Sequence, residues 1–409
     1  MKAGHNAEDK AMAHVISTGS GVVLDLIRSG QATTRTDLIS QLGWSRITLA
    51  RRLDELLNAA IIVSAGQSDS RGGRPPEEFV VNKDAGLLLA MDIGGSHSRL
   101  AITDLVSTIL LEDEADIGLG HGPNDIFDWS CQVFDHMLAQ LGKSRADVRG
   151  IGVGVPGPVD SASGRIASPQ INAQWADVVV KDYFPDDYRA VFAVDRDVNI
   201  LAVGEHRLGW PEYDDAIVLK VGMGIGCGLV LNGRVYHGGR GGAGDLAHSP
   251  SGGDDECLCG RVGCLDTVAS GRAIARELLV SGAAVRTSAD IVALSNSGHE
   301  GVAALLKAAG EHIADSLVDP VALLNPSAVV VGGNIAHAGD VFLEPIRERL
   351  LQNATAFSRR DLVVIPAKLG HQAGVIGASL IVQDALFEAD RISRLTRENG
   401  ASLAHYGEK

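Results

Sequence analysis

The chain has 409 residues, 45% hydrophobic and 21% charged, an ordinary globular composition with room for two or three cored domains. Its formal net charge of −15 is unevenly spread: residues 1–80 carry nine Lys/Arg against nine Asp/Glu, so the acidic excess lies beyond them. An acidic body repels nucleic acid, which confines any DNA contact to the neutral N-terminal part, and five cysteines are too few for a disulfide scaffold.

Residues 1–17 lack apolar periodicity and read as a flexible arm, without the basic start and apolar core of an export signal. The long apolar run from Ala216 to Leu231 is interrupted by Lys220 and by glycines, so it is no membrane span. A cytoplasmic protein with no membrane partner is expected.

From Gly21 the pattern is helical, with Val22, Val23, Leu26 and Ile27 on one stripe. A second helix fits Thr36 to Leu42, a Gly43-Trp44 turn follows, and Ser45 is a suitable N-cap for a third helix running to Leu56. Ile61 to Val63 and Phe79 to Val81 read as two short strands around a polar, glycine-rich loop. Three helices and a two-stranded wing over 18–82 make a winged helix-turn-helix pattern. Its third helix offers Ser45, Arg46, Thr48, Arg51 and Arg52 to base edges and phosphates. The wing segment Arg71-Gly-Gly-Arg-Pro-Pro76 could carry Arg71 and Arg74 into a narrow, AT-rich minor groove. A helical protein–protein module with a solvated arginine face fits the same pattern.

Beyond a boundary near Asn82, strands alternate with helices, the mark of α/β layers. Strands fit Leu87 to Asp92, Ser98 to Leu105, Gly150 to Val155, Val191 to Val194, Ala216 to Val221 and Ala328 to Val331. Helices fit Ile126 to Leu141, Ile200 to Leu208, Gly271 to Leu279, Val302 to Leu324 and Ala373 to Phe387.

Three glycine turns follow strands in this part. Gly94 and Gly95 would let backbone N–H groups approach a phosphate, with Asp92 placed to hold a hydrated magnesium ion. Gly222 and Gly224 suit the other side of a phosphate chain, and Gly332-Gly333 would let a flat purine lie against the backbone. Asp197, where a strand passes into a helix, could deprotonate a sugar hydroxyl or serve as a helix N-cap. His248, Cys257, Cys259 and Cys264 supply one imidazole and three thiolates, a closed tetrahedral set for structural Zn2+, with Gly260 and Gly263 permitting the turn.

Together, Asp92-Ile-Gly-Gly-Ser, Gly152-Val-Gly-Val-Pro-Gly-Pro158, Asp197-Val-Asn199, Gly222-Met-Gly-Ile-Gly226, Gly242-Ala-Gly-Asp-Leu-Ala-His248 and Cys257-Leu-Cys-Gly-Arg-Val-Gly-Cys-Leu-Asp266 resemble the ROK family of repressors, open reading frames and sugar kinases. The resemblance covers residues 18 to about 385. It implies a two-lobed, actin/hexokinase-like (ribonuclease-H-like) domain over 83–409. Lobe 1 would hold about 83–196 and the C-terminal helices from about 371, and lobe 2 about 197–370. It further implies Asp197 as the catalytic position, Asp245, His248 and Asp266 as sugar contacts, and a fused N-terminal winged helix as the sign of the repressor branch. Four positions depart from the family pattern: Arg196 replaces Asn, Met223 replaces Thr, and Asp245 and Asp266 replace Glu. They argue against hexose phosphorylation, and Arg196 must either pair with Asp197 or reach into the cleft, where it would suit an anionic sugar derivative.

The expectation is a sugar-responsive regulator, a homodimer or homotetramer on palindromic, AT-rich double-stranded operator DNA. The alternative is an ATP- and Mg2+-dependent sugar kinase with an accessory DNA-binding domain, and a third reading is a zinc-stabilised interaction protein.

Overall fold

A computed structural model describes residues 19–67, 77–160, 163–167, 173–283 and 285–397. The N-terminal unit holds α1 (Ser20–Arg28), α2 (Arg35–Leu42) and α3 (Arg46–Asn58), then the antiparallel pair β1 (Ile62–Gln67) and β2 (Glu77–Val81). Side-chain caps start two of these helices: Thr34 accepts from the Asp37 N–H, and Ser45 from the Thr48 N–H.

The following sheet is built from β3 (Leu87–Ile93), β4 (Ser98–Asp104) and β5 (Ile109–Ala115) as an antiparallel meander. After α4 (Gly122–Gln140), β6 (Val148–Val155) joins parallel to β3. The short strands β7 (Val159–Asp160), β8 (Arg165–Ala167) and β9 (Ala176–Val179) form a side sheet, and β10 (Val191–Arg196) completes the main one parallel to β6. Its strand order is β10-β6-β3-β4-β5.

Helix α5 (Asp197–Gly204), extended by a π-turn over Glu205–Gly209, leads to a second sheet of the same plan. There β11 (Ala216–Val221), β12 (Ile225–Leu231) and β13 (Arg234–Val235) form the meander. Helices α6 (Leu265–Ala269), α7 (Gly271–Val280), α8 (Ser288–Asn296) and α9 (Glu300–Leu324) precede β14 (Ala328–Gly332), and α10 (Asp340–Asn353) precedes β15 (Val363–Pro366). The order β13-β12-β11-β14-β15 repeats that of the first sheet. Helix α11 (Ala373–Leu386) packs against α5, β3 and β6, and α12 (Ala389–Arg397) packs against α1.

Several elements escaped the periodicity reading. β5 alternates poorly because it is an edge strand, mostly exposed and rich in acidic residues. α12 is too short and polar to stand out, yet its Ile392 is fully buried. That burial has a consequence for the boundary near Asn82: a single core runs from Val23, Leu53 and Phe79 through Leu88 and Leu105 to Leu386, Phe387 and Ile392. Asp384 on α11 adds a polar tie, accepting from Arg28 of α1 and from Arg207 in the π-turn after α5. Among the described residues no helix is long and apolar enough to cross a membrane.

Candidate functional site

A cavity of about 430 Å³ opens between the two sheets. Asp92, Gly94, Gly95, Gly222, Gly224, Gly332 and Gly333 all line it, and so do Arg196, Asp197, Asp245, His248 and Asp266. Residues scattered over more than two hundred positions thus meet: Asp92, Arg196, Asp197 and the glycines lie at or just beyond strand ends facing the gap, while Asp245 and His248 come from the loop after β13 and Asp266 from α6.

At the centre stands a residue that sequence reasoning noted only as a break in an apolar run. The ammonium of Lys220, on β11, lies 3.2 and 3.4 Å from the carboxylate oxygens of Asp92 and 3.1 Å from Asp197. Each of the three side chains is less than a quarter exposed. Burial works against the Lys220 charge, but Asp197 and Asp92 outweigh it and hold the ammonium above its ordinary pKa. Asp197 opens α5, where its own carboxylate accepts from the Val198 N–H, a favourable place for negative charge. Gly374 at the start of α11 is needed here, since a Cβ would fall 2.1 Å from an Asp92 oxygen.

Arg196 makes no ion pair with Asp197; its guanidinium donates to the carbonyl of Ala243, in the loop before Asp245. The residue that pairs with Asp197 is Lys220. Asp266, buried at the start of α6, accepts from Arg272 at 2.6 Å and from the Ile225 N–H at 3.1 Å. Arg272, which sequence reasoning passed over, therefore lies beside the Gly222–Gly226 turn, whose carbonyls at Gly222 and Met223 are taken by the first N–H groups of α7. Asp245 is largely exposed, 3.9 Å from the Nε2 of His248. Behind Arg196, the buried Asp195 accepts from Asn199 and meets His237 Nε2 at 2.7 Å. That hydrogen bond, against the opposing effect of burial, raises the His237 pKa above 6.5.

His248, Cys257, Cys259 and Cys264 converge so that their ligand atoms all lie within 4.8 Å of one another, a group able to hold a metal ion. The Nδ1 of His248 is 3.5 Å from the sulfur of Cys257, and the sulfurs of Cys259 and Cys264 are 3.7 Å apart. Gly260 and Gly263 take φ of +82° and +72°, conformations that a side chain would strain.

On α3, Ser45, Arg46 and Arg51 are exposed, and Thr48 is half-buried with its N–H on the Ser45 cap. Arg52 is a correction. It is only 9% exposed, because residues 49, 52, 53 and 56 form the buried face of α3, and its guanidinium pairs with Glu55. This burial is at odds with the DNA contact expected of it. Ile47, beside Arg46, is 84% exposed, a large apolar side chain in water. Arg71 and Arg74 lie outside the described residues.

Two sheets of one plan closing on a carboxylate-lined cleft define the class of actin- and hexokinase-like proteins. Residues 88–385 match the ROK family, and the chain belongs to it. It is 26% identical over 381 residues to the xylose repressor of Caldicellulosiruptor bescii, covering 89% of this chain and 95% of that one. A glucokinase of Halalkalibacterium halodurans is 29% identical over 313 residues, which cover 72% of this chain and 94% of the enzyme. The crystal structure of a ROK family transcriptional regulator, a homolog of the E. coli MLC protein, shares the fold with a TM-score of 0.77 at 22% identity, over 93% of this chain and 100% of the other.

Proposed function

We propose that the chain is a sugar-responsive transcriptional repressor whose cleft binds a sugar effector and thereby lowers operator affinity. The observation that carries this reading is the continuous core joining the three-helix unit to α11 and α12, with α11 packed in turn on α5, whose Asp197 lines the cleft. A repressor relative matching 89% of the chain supports it.

In this reading residues 18–82 are a winged helix-turn-helix, with α3 in the major groove. Arg46 and Arg51 meet bases or phosphates, Ser45 and Thr48 fix the helix start, and Ile47 offers an apolar contact for a thymine methyl group. Arg71 and Arg74 take an AT-rich minor groove, and a homodimer or homotetramer matches a palindromic operator. The sugar lies against Asp197, Asp245, His248 and Asp266, with Arg196 holding the Ala243 loop over it.

The metal is structural zinc. Tetrahedral zinc with Zn–S of about 2.3 Å and Zn–N of about 2.0 Å sets S···S near ~3.8 Å and S···N near ~3.5 Å. The separations of 3.7 and 3.5 Å agree with both. His248 and the three cysteines would hold it, leaving no open position for chemistry, and it would brace the loop that carries Asp245 and the helix that carries Asp266.

The test is a thermal-shift screen of neutral sugars, sugar acids and sugar phosphates, followed by operator binding with each stabilising compound. A ligand that stabilises the protein is expected to weaken operator binding, and Arg46→Ala to lose about 1–3 kcal/mol on the cognate site. Equal affinity of the wild type for every duplex, with or without ligand, would refute the repressor.

A further inference from the structure

The magnesium ion that the kinase-like frame implies does not fit this cleft, because its carboxylate partners are already taken. Asp92 and Asp197 both lie within hydrogen-bonding reach of one ammonium, and each of the three side chains is less than a quarter exposed. The strand register explains how Lys220 fits. Its neighbours on either side are Gly226 on β12 and Gly332 on β14, so neither flanking strand adds a side chain beside its stem, and the charged end extends to the facing sheet. A divalent ion needs hard oxygen ligands in near-octahedral order and keeps several waters. It cannot take these carboxylates with an ammonium already between them.

We infer that Lys220 sets the ligand class of the cleft: as a tethered cation at the point between Asp92 and Asp197, it excludes the metal–nucleotide complex and leaves the cleft to a sugar. The charge balance agrees. At this point of the cleft two carboxylates and one ammonium leave one negative charge, which favours a sugar hydroxyl at Asp197 over a phosphate group there. The inference rests on the sugar-binding reading for its ligand, but its exclusion of metal–nucleotide stands apart from it.

The experiment uses the full-length protein with its cysteine-bound metal in place. Binding of Mn2+ is measured by electron paramagnetic resonance, and binding of the non-hydrolysable nucleotide AMP-PNP by calorimetry with and without Mg2+. Wild type and Lys220→Arg are expected to show no Mg2+-dependent gain in nucleotide affinity. Lys220→Met, which frees both carboxylates, is expected to bind Mn2+ at least tenfold more tightly than wild type, and the double variant Asp92→Asn, Lys220→Met to lose that gain. Mg2+-dependent nucleotide binding by the wild type overturns the inference even if Lys220→Met does not fold, and so does a folded Lys220→Met with no gain in Mn2+ affinity. If the metal gain appears but no sugar or sugar derivative stabilises the wild type, the repressor's effector assignment fails while the exclusion of metal–nucleotide stands.

Discussion

In the first half of the kinase-like body, Asp92 stands two residues before the Gly94 turn that ends β3; in the second, Lys220 stands two residues before the Gly222 turn that ends β11. Each faces a glycine on the neighbouring parallel strand, Gly154 for Asp92 and Gly332 for Lys220. The two sheets repeat one topology, so these residues hold matching places, and the closing of the halves brings them together as an ion pair. In this chain the residues at this one position of each half, together with Asp197, set the charge at the centre of the cleft. With a carboxylate opposite an ammonium, the site is closed on itself. The halves differ again after their meanders. The first inserts α4 before β6, whereas the second inserts the Cys/His knot and helices α6 to α9 before β14.

The largest expected effect breaks the second half only. Cys264→Ser removes one of four converging ligands, the metal is lost, and the loop bearing Asp245 and His248 loosens. A loss of more than about 5 kcal/mol, with a clear fall in Tm, is expected in a calorimetric scan, with zinc content falling in parallel. Unchanged Tm in a metal-free protein would remove the knot from the stability of this half.

Next comes the contact between the halves. Lys220→Met leaves Asp92 and Asp197 buried without their counter-ion and is expected to cost about 3–5 kcal/mol in denaturant unfolding. Adding Asp92→Asn should recover a large part of that loss, so the cycle should show strong coupling. Additive effects would mean that the matched positions do not interact energetically.

The smallest effect concerns a second link across the halves, from His237 after β13 to Asp195 on β10. The folded pKa of His237 lies above 6.5, so the link stabilises fully below pH 6.5 and fades as the pH rises through the folded value. With the imidazole side chain about a third exposed, the contribution is well under about 1 kcal/mol. His237→Gln should flatten the stability-against-pH curve in that window; an unaltered curve excludes the link as its source.

The glycine turns, the Cys/His spacing and the α/β alternation are legible in the sequence alone. These are local: a turn that needs φ > 0 takes glycine, and four ligands within seventeen residues can close on one ion with little help from elsewhere. It also marked α3 by its cap at Ser45, although it could not tell which arginine of that helix faces water. Tertiary packing decided that Arg52 turns inward to Glu55 while Arg46 stays outside, because the helix buries the face that carries Leu49, Leu53 and Leu56. It decided as well that Arg196 bonds a loop carbonyl rather than Asp197. Above all it decided the role of Lys220. Along the chain Lys220 is one charge in an apolar strand, 128 residues from Asp92, and only the closing of two like sheets on each other places its ammonium where both carboxylates can reach it.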